Sequence, residues 1–230
     1  MIIDFDTHIS PVPEGGIGIT AEELISHMDR AGIEKSCTWP YYPYRREQLA
    51  AYNQYVYASV KKFPSRLAGF GWIDPALGLE QAVAQTKACM EEYGFYGIKL
   101  NGSQNNFRYD DFRMVCPIVD VVAENGGIVA LHVGADCPQR THPYFVMKLA
   151  RRYPDTAFML IHMGGVSYPD VSDCAVEAAQ ECPNIHLVGS HIYAVSIRKA
   201  VERLGVDRVC FGSDAPFNLS HVEAAKYSAL

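Results

Sequence analysis

Short apolar runs, many of them β-branched, recur along the chain, and each gives way to a stretch whose apolar positions return every three or four residues. The first rhythm belongs to strands covered on both faces, the second to helices with one buried stripe. The pattern predicts strands over Ile2–Phe5, Glu34–Trp39, Leu67–Ile73, Tyr96–Leu100, Gly127–Leu131, Ala157–Ile161, Ile185–Val188 and Arg208–Phe211. Helices are expected over Thr20–Ala31, Glu47–Phe63, Leu79–Tyr93, Asp111–Glu124, Pro143–Tyr153, Val171–Cys182 and Val195–Leu204, with a last one over Ser220–Leu230. Thr20 and Glu23 form a capping box at the first helix, and Gly32 stops it. Pro117 falls inside the fourth helical pattern and leaves its start open.

Eight strand–helix units with no linker or composition break predict an α/β protein, a single (β/α)8 TIM barrel over residues 1–230. A doubly wound open sheet competes, but no GxGxxG follows the first strand, which weakens a nucleotide-binding version. The last helical pattern is short, so a truncated final helix is expected.

Composition narrows the function classes. The 230 residues are 49% hydrophobic and 20% charged, ordinary for a globular domain, and the net charge of −6 offers no basic surface to nucleic acid or anionic membrane. Seven cysteines without a CxxC pair fit reduced thiols in a cytoplasm, not a disulfide framework or zinc ribbon. No leader or membrane-spanning segment is read from the N-terminus, and a homo-oligomer is left open.

The candidate chemistry lies at the strand ends, the functional face of such a barrel. Asp6 and His8 follow the first run, Lys99 lies in the fourth, His132 and His162 end the fifth and sixth, and Asp214 follows the eighth. One strand-end histidine is more often structural than not; three, with two carboxylates at the same end, point to a metal. Nitrogen and carboxylate donors suit zinc, and also manganese or iron. His27, His142, His186 and His221 lack such placement and read as surface or structural. The loop WPYYPYRR (39–46) sets Tyr41, Tyr44 and Arg45 at the expected barrel mouth, either as contacts for a planar, anionic substrate or as mere cover. Arg108 and His191 are weaker substrate-binding candidates on other loops. No GxSxG elbow is present, which argues against a serine nucleophile.

The motifs IIDFDTHI (2–9), GIKLNGSQNNFRYDD (97–111), ALHVG (130–134), LIHMGG (160–165) and FGSDAPF (211–217) resemble, in order and spacing, those of the amidohydrolase superfamily. The likeness is to the amidohydrolase-2 group, which includes metal-dependent decarboxylases of the aminocarboxymuconate-semialdehyde type. The resemblance implies a divalent metal, zinc first and one ion rather than two, held by Asp6, His8, His132 and Asp214, with Asp214 and His162 as acid–base groups. It departs at Asp6, where the family usually has histidine; in an alternative register His8 is the first histidine and Ser10 the lost second one. Lys99 is open three ways: carbamylated between two metals, free to pair with a substrate carboxylate, or paired with a neighbouring acid. The expected function is hydrolysis of a small amide, lactone or ester by metal-activated water. The alternative is non-oxidative decarboxylation or hydration of a small aromatic or unsaturated acid, and a barrel that has lost its metal is the third reading.

Overall fold

In the computed structural model, which describes residues 1–11, 18–41, 46–166, 168 and 170–230, Thr20 caps the first helix as its sequence predicts. Its side chain accepts from the Glu23 N–H, the Glu23 carboxylate reaches back, and Gly32 ends the helix at φ 68°. That helix, α1 (Ala21–Ala31), buries Ala21, Leu24 and Met28 against the sheet side. The sheet has eight strands: β1 (Ile3–Ile9), β2 (Lys35–Pro40), β3 (Leu67–Trp72), β4 (Gly97–Leu100), β5 (Ile128–His132), β6 (Ala157–Ile161), β7 (Ile185–Val188) and β8 (Val209–Cys210). They pair in parallel in chain order. The residues after β8 return to β1: the Phe5 N–H donates to Phe211 O (2.9 Å), Asp214 N–H to Asp6 O (2.8 Å) and His8 N–H to Ala215 O (2.8 Å). These bonds bring the sheet round into a (β/α)8 barrel.

The outer layer consists of α1, α2 (Leu49–Lys62), α3 (Leu79–Lys87), α4 (Phe112–Glu124), the short α5 (Pro138–Thr141), α6 (Pro143–Ala150), α7 (Val171–Glu181), α8 (Ala194–Leu204) and α9 (Ser220–Ser228). Two apolar cores follow. One lies between barrel and helices, with Leu24, Ile118, Val122, Leu149, Val176 and Ile197 fully buried. The other fills the barrel, where Phe70 packs edge-on against Phe5 and Trp39, at centroid distances of 5.7 and 5.8 Å.

β6 and β7 match their predicted bounds; other elements differ for physical reasons. The third helix leaves the α form at Lys87 and continues as a π-helical turn over Ala88–Glu92 that buries Cys89 and Met90. Pro117 sits inside α4, which runs through it. The largest difference is in β1, which continues through Asp6, Thr7 and His8 to Ile9. Its apolar alternation stops at Phe5 because the barrel interior turns polar there. A bulge between Asp4 and Thr7 breaks its register with β2, so Phe5 and Asp6 both face inward, Phe5 towards Phe70 and Asp6 towards Ser190. From there His8 faces inward and Thr7 outward, its hydroxyl bonded to Cys37 O (2.8 Å). No helix among the described residues is long and apolar enough to cross a membrane.

Candidate active site

Three of the predicted ligands meet at the C-terminal end of the barrel. Donor atoms of Asp6, His8 and Asp214 all lie within 4.8 Å of one another, in buried side chains. Asp6 enters through the β1 bulge, and Gly212 makes room for it: a Cβ there would stand 2.9 Å from Asp6 Cβ and 2.6 Å from Val188. His8 Nδ1 lies 3.3 Å from the Pro40 carbonyl. A carbonyl only accepts, so Nδ1 carries the proton and Nε2 keeps its lone pair. That lone pair accepts from the Trp39 indole N–H (3.1 Å) and faces Asp214 Oδ1 at 3.4 Å. Asp214 Oδ2 lies 3.4 Å from His191 Nδ1.

His162 and His132 flank the cluster with their rings edge-to-face, 4.8 Å apart. The glycines of their motifs explain the approach: a Cβ on Gly134 would stand 2.1 Å from the Gly164 carbonyl oxygen, so the two loops touch there. His162 Nδ1 lies 3.0 Å from Ser190 Oγ and 3.8 Å from Asp6 Oδ2. His132 is turned the other way, its Nε2 3.1 Å from Asp136 Oδ1; the structure sets it beside the Asp6–His8–Asp214 cluster and gives its ring N–H to Asp136. Three site residues adopt left-handed backbone conformations that cost non-glycine residues about 1 kcal/mol or more each: His162 (φ 69°), His191 (φ 62°) and Asp214 (φ 58°). Such strain concentrates where function demands a side-chain direction.

Burial dominates the electrostatics. It raises the Asp6 carboxyl to about 6, with the nearby Asp214 charge adding to the effect. It pushes the His162 imidazole down to about 3 and lowers His132 as well, against the pull of Asp136. Lys99, fully buried, falls to about 8, although Asp6 and Asp214 favour its charge. For Asp214 burial pulls upward, but the hydrogen bond from His191 favours the charged form, and the carboxyl lies below its usual range. His191 moves up, chiefly through its hydrogen bond to Asp214.

The residues fit a divalent metal. Asp6 Oδ1 is buried without a hydrogen-bond partner among the described residues, and Asp214 Oδ1 stands 3.4 Å from the unprotonated Nε2 of His8, acceptor beside acceptor. Both are conditions that a cation relieves.

A cavity of about 210 Å³ opens over the cluster, and His8, His132, His162, His191 and Asp214 all line it. Its walls are Trp72, Phe217 and Val166, with Asn101, Gln104 and Ala135 completing it. Tyr41 lies just behind, buried and stacked on Phe217 (5.3 Å between centroids). Lys99 is not on the cavity wall: its ammonium lies below, 4.0 Å from the centre of the Trp39 ring, with no hydrogen-bond partner among the described residues. Arg108 is engaged elsewhere, paired with Asp110 (2.9 Å) and stacked over Phe145. Tyr44 and Arg45 lie outside the described residues.

Sequence reasoning missed Trp72, Phe217, Asn101, Gln104, Asp136 and Ser190. Asp136 stood four residues after a candidate histidine and was findable on that spacing. Ser190 carried no signal: it is 184 residues from the acid it touches.

The family model for Amidohydrolase matches residues 41–229. No curated protein matches the chain by sequence. Solved structures share its fold. A 2,6-dihydroxybenzoate decarboxylase from Rhizobium is 19% identical, with a TM-score of 0.76 over 99% of this chain and 91% of its own. A dihydroxybenzoic acid decarboxylase from Polaromonas, holding manganese and the inhibitor 2-nitroresorcinol, is 21% identical (TM-score 0.77, 99% and 90% covered). A 5-carboxyvanillate decarboxylase from Novosphingobium aromaticivorans, with manganese and 4-hydroxy-3-methoxy-5-nitrobenzoic acid, is 16% identical (TM-score 0.78, 100% and 90% covered).

Proposed function

From the premise that this chain belongs to the amidohydrolase family, we propose that it is a metal-dependent, non-oxidative decarboxylase of a small aromatic acid. The observation that carries the reading is the cavity: about 210 Å³, walled by Trp72 and Phe217, with Asp214 and a set of histidines on its polar side. Cavities for drug-sized ligands span about 300–1,000 Å³, so this one suits a single flat ring. The names of the similar solved structures favour the same chemistry over hydrolysis of an amide, lactone or ester, the reading placed first on sequence alone.

Asp6, His8 and Asp214 would hold the metal, and His132 would join them on exchanging Asp136 for the ion. With two carboxylates the donor set is hard, which favours manganese over the zinc expected from sequence. When bound, the metal supplies the positive charge that draws in the substrate carboxylate. Lys99, below the cluster and off the wall, offsets the charge of Asp6 and Asp214 and does not grip substrate.

The chain's own groups manage the proton. Loss of carbon dioxide leaves an electron pair on the ring carbon, and one proton must replace the departing carboxylate. Asp214 faces the cavity and delivers it. His191, half-exposed and hydrogen-bonded to Asp214 Oδ2, resupplies Asp214 from solvent. Trp72 and Phe217 hold the ring and keep water from its face.

The test is carbon dioxide release from a panel of hydroxylated benzoic acids by manganese-loaded protein. Turnover of at least one, abolished by chelation and restored by Mn²⁺, is expected. Silence across the panel, with hydrolysis of a lactone panel, overturns the proposal in favour of the hydrolase.

A further inference from the structure

We infer that Ser190 is a positioning residue of this site, whose single hydroxyl fixes the tautomer of His162 and turns Asp6 towards the cation. The inference rests on the metal-site reading above and assigns a residue outside the ligand set.

Ser190 is completely buried at the end of β7. Its Oγ lies between two site residues, 3.0 Å from His162 Nδ1 and 2.5 Å from Asp6 Oδ2. Its backbone carbonyl lies 3.3 Å from the same Nδ1. The carbonyl and the carboxylate only accept; a hydroxyl has one proton to give. The Ser190 proton therefore goes to Asp6 Oδ2, and both Ser190 oxygens accept from His162 Nδ1–H. The other arrangement, with Nδ1 unprotonated, would set that lone pair against a carbonyl oxygen in a buried place and leave the Ser190 hydroxyl facing two acceptors with one proton.

Two consequences follow. His162 keeps its lone pair at Nε2, so in its neutral form it accepts a proton or hydrogen bond in the cavity it lines and does not donate one. Asp6 has one oxygen tied to Ser190, while Oδ1 has no hydrogen-bond partner among the described residues. One hydroxyl thus prepares a base and a ligand at once. Outer partners of metal ligands act in this way, and their loss commonly weakens metal binding by about 10- to 100-fold.

The experiment has two arms. Mn²⁺ alone is titrated by calorimetry into wild-type, Ser190→Ala and Ser190→Cys protein; the thiol keeps nearly the volume of the hydroxyl but donates weakly. Binding about 10- to 100-fold weaker in both variants is expected, with metal-free Ser190→Cys unfolding near the wild-type temperature. Wild-type affinity in Ser190→Cys overturns the inference, and this variant decides if Ser190→Ala fails to fold. In the second arm, ¹⁵N NMR of metal-free wild type reads the His162 tautomer, assigned by the signal that His162→Gln removes. Protonated Nδ1 and bare Nε2 are expected; the reverse overturns the inference. The second arm needs no metal, so a wild-type protein that bound no Mn²⁺ would remove the proposed function while the tautomer still decided the role of Ser190.

Discussion

At the lower, N-terminal end of the barrel, Phe5, Phe70, Ile128, Cys37 and Cys210 surround an apolar hollow of about 390 Å³. At the upper end the same strands enclose a smaller cavity crowded with imidazoles and carboxylates. Among the described residues, the buried polar atoms lacking partners include Asp6 Oδ1 and Lys99 Nζ near the upper end; Asp4 Oδ2, one residue before Phe5, also lacks one but is not on the lining of the lower hollow. Burial also pushes the Cys37 thiol far above its ordinary range, away from the reactive thiolate form. Left-handed non-glycine residues likewise belong to the upper end, at His162, His191 and Asp214. A hollow alone is therefore a poor sign of function. What separates the ends is backbone strain and the crowding of imidazoles and carboxylates on one cavity wall, where stability has been given up for side-chain direction.

Breaking each end should have opposite effects. Asp214→Asn should lower kcat/KM by about 10²- to 10⁴-fold, with a folded-state circular dichroism spectrum; near-wild-type turnover would remove Asp214 from the chemistry. Phe70→Ala should cost about 3–5 kcal/mol in urea unfolding while Mn²⁺ affinity by calorimetry stays close to wild type. Should that variant lose metal instead, the ends are coupled through Trp39, which touches both Phe70 and His8.

A pH series sharpens the contrast. Burial holds His162 at about 3 in the folded protein, whereas an unfolded histidine titrates near about 6.5. Between these values the unfolded chain binds the extra proton. This contribution is therefore fully present above about pH 6.5 and lost as pH falls, by at most about 1.4 kcal/mol per unit. Asp4 and Asp6, raised to about 7 and about 6, act in the opposite sense, so the difference between metal-free wild type and His162→Gln, measured by urea unfolding at pH 7, 6 and 5, isolates the histidine. That difference should favour the variant increasingly towards acid; a flat difference means that His162 is not buried and neutral. The smallest effect belongs to Arg108→Ala. With its charge held by Asp110 away from the cavity wall, turnover should be nearly unchanged, and a large rise in KM would return Arg108 to the substrate.

The lower end and the helices were legible in sequence because their rule is repetition: apolar periodicity gives β6 and β7 residue for residue, and Thr20, Glu23 and Gly32 bound α1. Asp6, His8 and Asp214 were legible because acid and imidazole at strand ends are rare and chemically distinctive. Ser190 and Phe217 were not, since serine and phenylalanine are common and only the closed barrel brings them to the site. β1 was cut short for a related reason. Strand patterns are recognised by apolar alternation, and alternation fails where a strand passes from a dry interior to a polar one.

The β1 bulge makes this strand two half-strands written in different phase. Below it, inward positions fall on Ile3 and Phe5; above it, on Asp6 and His8. An unbroken strand with Phe5 inward would send Asp6 out among the helices and dismantle the site. With the phase shift in place, removing one residue at Phe5 would heal the pleat and still leave Asp6 and His8 facing in. The two ends of the barrel are thus free to change their side chains independently, although a single strand runs through both.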